Sequence, residues 1–206
     1  MTDKIEIVFV RHGQTKGNEE GKYIGTTDED LSSYGRECLV RLLRKDVYPR
    51  CEMYFISPRK RCRETLETIA GDVPKTIIEE FAELSFGPFE NKNYGQLKHD
   101  EAYREWVDSA GEKCPEGCEK KSDFIKRNRA ALLKLAQLAY EAGAKKVMLV
   151  AHAGNAMALT SSYTGCDYYE NIPKNGDGYL LEATCEIKDG KVDNISQLDI
   201  LRGLCS

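Results

Sequence analysis

The sequence predicts an α/β fold: a single three-layer domain over residues 1–206, with a central, mostly parallel sheet and helices on both faces. Three observations predict it. Short apolar runs rich in Val and Ile, at 5–10, 53–56 and 146–151, read as strands buried on both faces, since a strand covered on one side would alternate. Segments with helical spacing lie between these runs, and strands alternating with helices call for a largely parallel sheet. Each run also stops at a polar break, where the chain leaves the sheet.

In chain order, the strand at 5–10 comes first. Residues 33–45 then place Leu39, Leu42 and Leu43 at helical spacing. The strand at 53–56 is followed by a helical segment over 59–70. Residues 81–117 are less regular, with several glycines and two prolines, and read as a loop-and-helix excursion beside the core. The longest helix is expected over 119–142, with Phe124, Ile125, Leu132, Leu135 and Leu138 on a stripe and Gly143 as its stop. After the strand at 146–151, residues 178–200 alternate and read as antiparallel strands.

Composition narrows the function. Hydrophobic residues make up 41% and charged residues 31% of 206, as in ordinary globular proteins, which excludes a disordered chain, a collagen and a membrane bundle. The net charge is −4, from 30 basic and 34 acidic residues, so neither nucleic acid nor a membrane is an expected partner. An anionic ligand needs a local Arg or Lys cluster instead. The apolar run at 5–10 is too short for a secretory segment. The eight cysteines are scattered, so they are expected as reduced thiols in a cytoplasmic protein. Cys114 and Cys118 are the one close pair and lack the further ligands of a closed zinc site. No metal or cofactor is expected, and monomer and homodimer both stay open.

In open α/β sheets ligands bind beyond the carboxyl ends of the strands. There the three runs lead into Arg11-His12-Gly13-Gln14-Thr15, Ser57-Pro58-Arg59-Lys60-Arg61 and His152-Ala153-Gly154-Asn155. Two of the three histidines fall at this edge; the third, His99, reads as a solvated surface residue. Each motif alone is weak. Together, imidazoles and guanidiniums at one rim make a positive pocket in an acidic protein, and guanidinium forks match phosphate oxygens. There is no GxxxxGK[ST] loop. The segment 38–44, CLVRLLR, fits C-x5-R, but it lies in an amphipathic helical run whose amides would be bonded internally.

With these residues in view, the chain resembles the histidine phosphatase superfamily, also called phosphoglycerate mutase-like. The resemblance runs through RHGQTKGN (11–18), GKYIGTTDEDLSSYG (21–35), SPRKRCRET (57–65), AELSFGPFEN (82–91) and VAHAGN (150–155), in order and at family-like intervals. It implies a metal-independent phosphomonoesterase that works through a covalent phosphohistidine. By position, His12 corresponds to the nucleophile, Arg11 and Arg61 to phosphate clamps, His152 to the second pocket histidine and Glu83 to the proton donor. Gln14, Thr15, Asn18, Ile24, Gly25 and Gly154 fall where the family meets substrate. Composition does not choose among Arg59, Arg61 and Arg63, or among Glu79, Glu80, Glu83 and Glu90; only the family register selects Arg61 and Glu83.

The physical expectations follow from those roles. Flanking guanidiniums disfavour an imidazolium at His12, and a backbone carbonyl of the tight Arg11-His12-Gly13 turn should accept from its other ring nitrogen. His152 is expected to be protonated when phosphate is bound. A phosphate dianion also favours the neutral carboxyl that Glu83 needs to protonate a leaving alkoxide.

The short stretch after Glu83 and the HAGN ending place the chain nearer the phosphatases than the cofactor-dependent phosphoglycerate mutases. PEGCEKKSDF (115–124) is similar to a stretch of α-ribazole phosphatases, with Cys118 where Gly and Lys120 where Ser is usual; FGPFEN departs from FGxWEG at Phe89 and Asn91. The expected partner is a small phosphorylated metabolite, α-ribazole phosphate-like or broader. Tyr94, Lys98, Lys120 and Lys121 are candidates for the mouth of the site. The other readings are a mutase and, from another class, a catalytically inactive phospho-binding module.

Overall fold

In the computed structural model, which describes residues 1–205, β1 (Thr2–Arg11) is the central strand of the sheet. A one-turn helix, α1 (Lys16–Glu19), and α2 (Ser33–Arg44) follow, then β2 (Met53–Ile56), α3 (Lys60–Ala70) and the two-residue β3 (Thr76–Ile77). The excursion holds two 3-10 turns (Glu79–Phe81 and Gly87–Phe89), α4 (Tyr94–Leu97) and α5 (Glu101–Asp108). The chain then returns through α6 (Lys121–Ala142), β4 (Lys146–Ala151), α7 (Ala153–Thr164), β5 (Gly178–Lys188) and β6 (Lys191–Gly203).

The six strands form one sheet in the order β3-β2-β4-β1-β5-β6. β1 pairs in parallel with β4, as does β2 with both β4 and β3, whereas β5 and β6 add antiparallel. The apolar run of β1 is continuous because both of its faces are covered. Ile5, Ile7 and Phe9 pack with Leu132 and Leu135 of α6 and Leu159 of α7. Val8 and Val10 point the other way, against Leu39 of α2 and Leu66 and Ile69 of α3. This period of two along a strand divides one sequence run between two layers. Burying each of these side chains contributes about 1.5–3 kcal/mol.

The expected strands and longer helices are present, with ends shifted by no more than three residues. α6 stops at Gly143, whose left-handed backbone (φ 69°) closes the last turn. α7, β3 and α1 are additions. α7 is buried through Ala156, Ala158 and Leu159 and lacks a polar face to give it a readable stripe. Cys38 lies within α2, so the C-x5-R match is helix and not a phosphate loop. All eight cysteines are unpaired thiols. Among the described residues no helix is long and apolar enough to cross a membrane, and no cluster of His, Cys, Asp and Glu is arranged to hold a metal ion.

Candidate active site

The parallel strands β1, β2 and β4 end at the same rim and hand their next residues to one pocket. β1 delivers Arg11 and His12, β2 leads through Ser57 into Arg61 on the first turn of α3, and β4 delivers His152 as the cap of α7. The His12 and His152 rings lie 5.1 Å apart, centre to centre, in an edge-on arrangement. Both are buried, as is the whole of Arg61.

Hydrogen bonds set the tautomers. His12 Nδ1 lies 2.7 Å from the Gly13 carbonyl, which can only accept, so Nδ1 carries the proton and Nε2 keeps its lone pair. The main chain of His12 is also fixed: its N–H donates to Ala151 O, and its carbonyl accepts from Gly176 N and Asn175 Nδ2. His152 is held the opposite way. Arg61 Nε donates to its Nδ1 at 3.3 Å, so Nε2–H donates to Ser57 Oγ at 2.7 Å. Burial first, then the charge of Arg61, holds both histidines well below the usual imidazole range, with Arg11 adding to each. Both rings are therefore neutral.

Arg61 is braced by the loop beyond α1. Its Nη1 donates to Thr27 O at 2.8 Å, and its Nη2 to the carbonyls of Ile24 and Gly25 at 3.3 Å. Arg11 Nη1 donates to Pro173 O, while its Nε is buried and has no partner among the described residues. Of the three arginines after β2, Arg61 alone is fully buried against His152 in this way. Arg63 is exposed, and Arg59 adds positive charge near His152.

Glu83 meets this cluster from the excursion. Its Oε1 accepts from Leu84 N at 2.8 Å, and its Oε2 from Gly154 N at the start of α7 at 3.3 Å. Burial raises its pKa, against the opposing pull of those N–H groups and of Arg61 and Arg11. Gly154 makes the approach possible, since a Cβ there would lie 2.2 Å from Glu83 Oε1. Arg127 of α6 locks the segment by donating to the carbonyls of Glu80, Ala82 and Glu83.

Arg11, His12, Asn18, Ile24, Glu83 and Gly154 line one cavity of about 660 Å³. Arg61 and His152 are fully buried behind its wall, and Gln14, Thr15 and Gly25 lie outside it as well. Thr15 is fully buried and caps α1, and Gly25 holds the loop that braces Arg61. Of the mouth candidates, Tyr94 lines the cavity; Lys98 and Lys120 are exposed elsewhere, and Lys121 sits over the Tyr168 ring. His99 is exposed.

Four contributors were not singled out from sequence. Ser57 fixes His152, and Asn155 caps the His152 N–H while bonding Asn128. Asn175 ties His12 O to Asn18. Glu90 gathers the N–H groups of Gly25, Thr26 and Phe86 and the Thr27 hydroxyl. Burial alone would raise the Glu90 pKa, but these donors outweigh it and hold the carboxyl below its ordinary range. Ser57, Glu90 and Asn155 stand inside the quoted motifs, but Ser, Glu and Asn are too common to mark a role.

A mostly parallel α/β sheet with two buried imidazoles, two guanidiniums and a buried carboxyl at one rim defines a class of phosphate-handling proteins. The sequence pattern of the histidine phosphatase superfamily (branch 1) matches residues 7–174, and the chain belongs to that superfamily. It is similar to the adenosylcobalamin/alpha-ribazole phosphatase of Salmonella typhimurium, 28% identical over 157 residues that cover 73% of this chain and 75% of that protein. Phosphoserine phosphatase 1 of Hydrogenobacter thermophilus is 23% identical over 167 residues, covering 79% of this chain and 78% of that one. In three dimensions, phosphoglycerate mutase from Bacillus anthracis superposes with a TM-score of 0.72 at 17% identity, over 95% of this chain and 94% of that one. That likeness establishes the shared fold.

Proposed function

We propose that the protein is a phosphomonoester hydrolase that works through a phosphohistidine at His12, on a small phosphorylated metabolite. The observation that carries this reading is the fixed tautomer of His12. With Nδ1–H spent on Gly13 O, the lone pair of Nε2 is available in a buried site flanked by Arg11 and Arg61.

In the first half-reaction Nε2 attacks phosphorus and the P–O bond to the alcohol breaks. Charge on the equatorial oxygens is met by Arg11, Arg61 and His152. His152 Nδ1 takes up a proton from solvent as the dianion arrives, gives up the hydrogen bond from Arg61 Nε to become a donor, and returns the proton when inorganic phosphate leaves. Neutral Glu83 gives its proton to the leaving alkoxide. In the second half-reaction Glu83, now a carboxylate, takes a proton from water. The water oxygen attacks phosphorus, the P–N bond breaks, and neutral His12 and inorganic phosphate result.

Asn18, Ile24 and Gly154 are proposed substrate contacts, since they line the cavity. Gln14, Thr15 and Gly25 are proposed to shape it from behind. Phosphate release from p-nitrophenyl phosphate tests the reading: the wild type should turn over and His12→Ala should lose activity by about 10,000-fold or more. Retained turnover in His12→Ala overturns the mechanism, and an inert wild type overturns the hydrolase reading.

A further inference from the structure

Two of the eight cysteines meet, and the phosphoryl chemistry uses neither. Cys114 and Cys118 bracket the stretch Cys114-Pro115-Glu116-Gly117-Cys118 between α5 and α6. Cys118 N donates to Pro115 O at 3.1 Å, and Gly117 takes the left-handed backbone (φ 82°) that the turn needs. The turn folds the chain back on itself and leaves the two sulfurs 3.0 Å apart, with the Cys118 S–H donating to Cys114 Sγ. Both residues are half-buried, so a small reagent reaches them. Among the described residues no other two cysteine sulfurs are bonded to each other; the buried Cys62 and Cys185 lie in different clusters.

This loop backs the segment that carries Glu83. Phe86 and Cys118 pair as an antiparallel bridge, Ser85 Oγ donates to Gly117 O at 2.6 Å, and Glu119 N donates to Ser85 O at 2.9 Å. Arg127, which holds the carbonyls of Glu80, Ala82 and Glu83, is itself held by the Glu119 carboxylate at 2.7 and 2.8 Å. Cys118 is thus fixed in place, and the Gly87 backbone packs so close that a Cβ there would lie 2.5 Å from Cys118 N. Cys114 is held less firmly. Among the described residues its main-chain N–H and carbonyl make no hydrogen bond, and its polar contacts all run through its sulfur, to Gly111 O, Glu119 O and Cys118. An S–S bond is about 2.05 Å long, so joining the sulfurs asks for about 1 Å of movement, which Cys114 can supply without displacing the residue that touches Phe86 and Gly87.

We propose that Cys114 and Cys118 are a reversible dithiol site, which a low-molecular-weight disulfide oxidises to an intramolecular bond that staples the loop behind Glu83 and leaves the reacting groups in place. Cys114 gives its proton to solvent, and its thiolate attacks one sulfur of the small disulfide. That S–S bond breaks, and the departing small thiolate takes a proton from solvent. Cys118 then gives up its proton and attacks Cys114 Sγ, expelling the second small thiolate, which takes that proton. The two cysteines lose two electrons and two protons, and the small disulfide gains both. Burial, and then the neighbouring Cys114, hold the Cys118 thiol well above its ordinary range, so the first attack falls to Cys114.

The test treats the folded protein with oxidised glutathione and then with an alkylating agent before any reductant. Trypsin cuts after Lys113 and Lys120, so one peptide, 114–120, carries both sulfurs. It should emerge unalkylated and two hydrogens lighter than its dithiol form, and reduced glutathione should reverse the change. The oxidised protein should melt about 3 °C or more above the reduced one, and Cys114→Ser/Cys118→Ser should show no such shift. Turnover of alkyl phosphates should stay within about twofold on oxidation, because Glu83 keeps both of its N–H donors. Alkylation of both sulfurs, glutathione retained on either, or an unchanged or lower melting temperature overturns the staple. Turnover lost on oxidation of the wild type, but not of the double variant, overturns the statement that the reacting groups stay in place. If neither form turns over any ester, the peptide and the melting shift still decide the staple, and the hydrolase reading alone falls.

Discussion

The two ends of the cavity are built in different ways. At the phosphate end His12, Arg61 and His152 hang from the carboxyl end of a parallel strand or from the helix that follows it, and every group is tied down: His12 by Gly13 O, Arg61 by three loop carbonyls, His152 by Ser57 Oγ and Arg61 Nε, and Glu83 by two N–H groups. At the leaving-group end the wall comes from loops and the short helices α4 and α5, held mainly by ring packing, with the Tyr23–Tyr103 hydroxyl pair at 2.7 Å as a polar tie. The sheet thus holds the chemistry rigid, while the excursion can change its side chains without disturbing it. Glu83 stands at the junction, on the excursion but clamped to α7.

Glu83→Gln should separate the two ends most sharply. With no proton to give, turnover of alkyl phosphates should fall by about 100-fold or more, and that of p-nitrophenyl phosphate, whose leaving group needs none, much less. Equal losses on both esters would remove Glu83 from the acid's role. Gly154→Ala comes next. Its Cβ would lie 2.2 Å from Glu83 Oε1, so the carboxyl must move, and alkyl esters should lose about tenfold in kcat/KM while aryl esters are nearly spared. A variant with wild-type selectivity would show that the Glu83–Gly154 contact does not position the acid.

The pH profile sharpens the same contrast. Turnover of alkyl esters needs His12 neutral and Glu83 protonated together, and their ordinary values, 6.5 and 4.5, run in the wrong order. Burial moves the two toward each other, lowering the first and raising the second. Activity should therefore fall on the acid side as His12 protonates, below its ordinary range. It should fall on the alkaline side as Glu83 ionises, above the ordinary carboxylate range. Glu83→Gln should abolish the alkaline limb, and an unchanged limb would assign it elsewhere. The smallest effect on chemistry is expected from Glu90→Ala. It strips the acceptor from the loop that braces Arg61 and should cost about 2 kcal/mol, read as a lower Tm. An unchanged Tm would mean the loop holds itself.

The same contrast explains what could be read from sequence. Buried parallel strands are continuous in Val and Ile, and the residues after them had to meet, so His12, His152 and an arginine after the second run were legible as one rim, while only the family register picked Arg61 from Arg59 and Arg63. One of their partners was also expected, a carbonyl of the turn at His12, which is Gly13 O. The Ile24 carbonyl and the Gly154 N–H are backbone atoms with no signature of their own, and Glu90 looks like any surface carboxylate. The aromatic wall was hidden for another reason. Tyr23, Phe86, Trp106 and Tyr168 are far apart in the chain and sit at loop and short-helix positions with no period to expose them. Lys98 and Lys120, read as candidates for the mouth, turn to solvent, as long charged side chains on an excursion ordinarily do.

The central claim is that neutral His12 takes the phosphoryl group through Nε2. Rapid acid-free quenching during turnover of a ³²P-labelled ester, followed by peptide mapping, addresses it directly. The account predicts an acid-labile, alkali-stable label on the peptide containing His12, absent in His12→Ala and longer-lived in Glu83→Gln. Label on another residue, or turnover with no labelled protein at any time point, would contradict it.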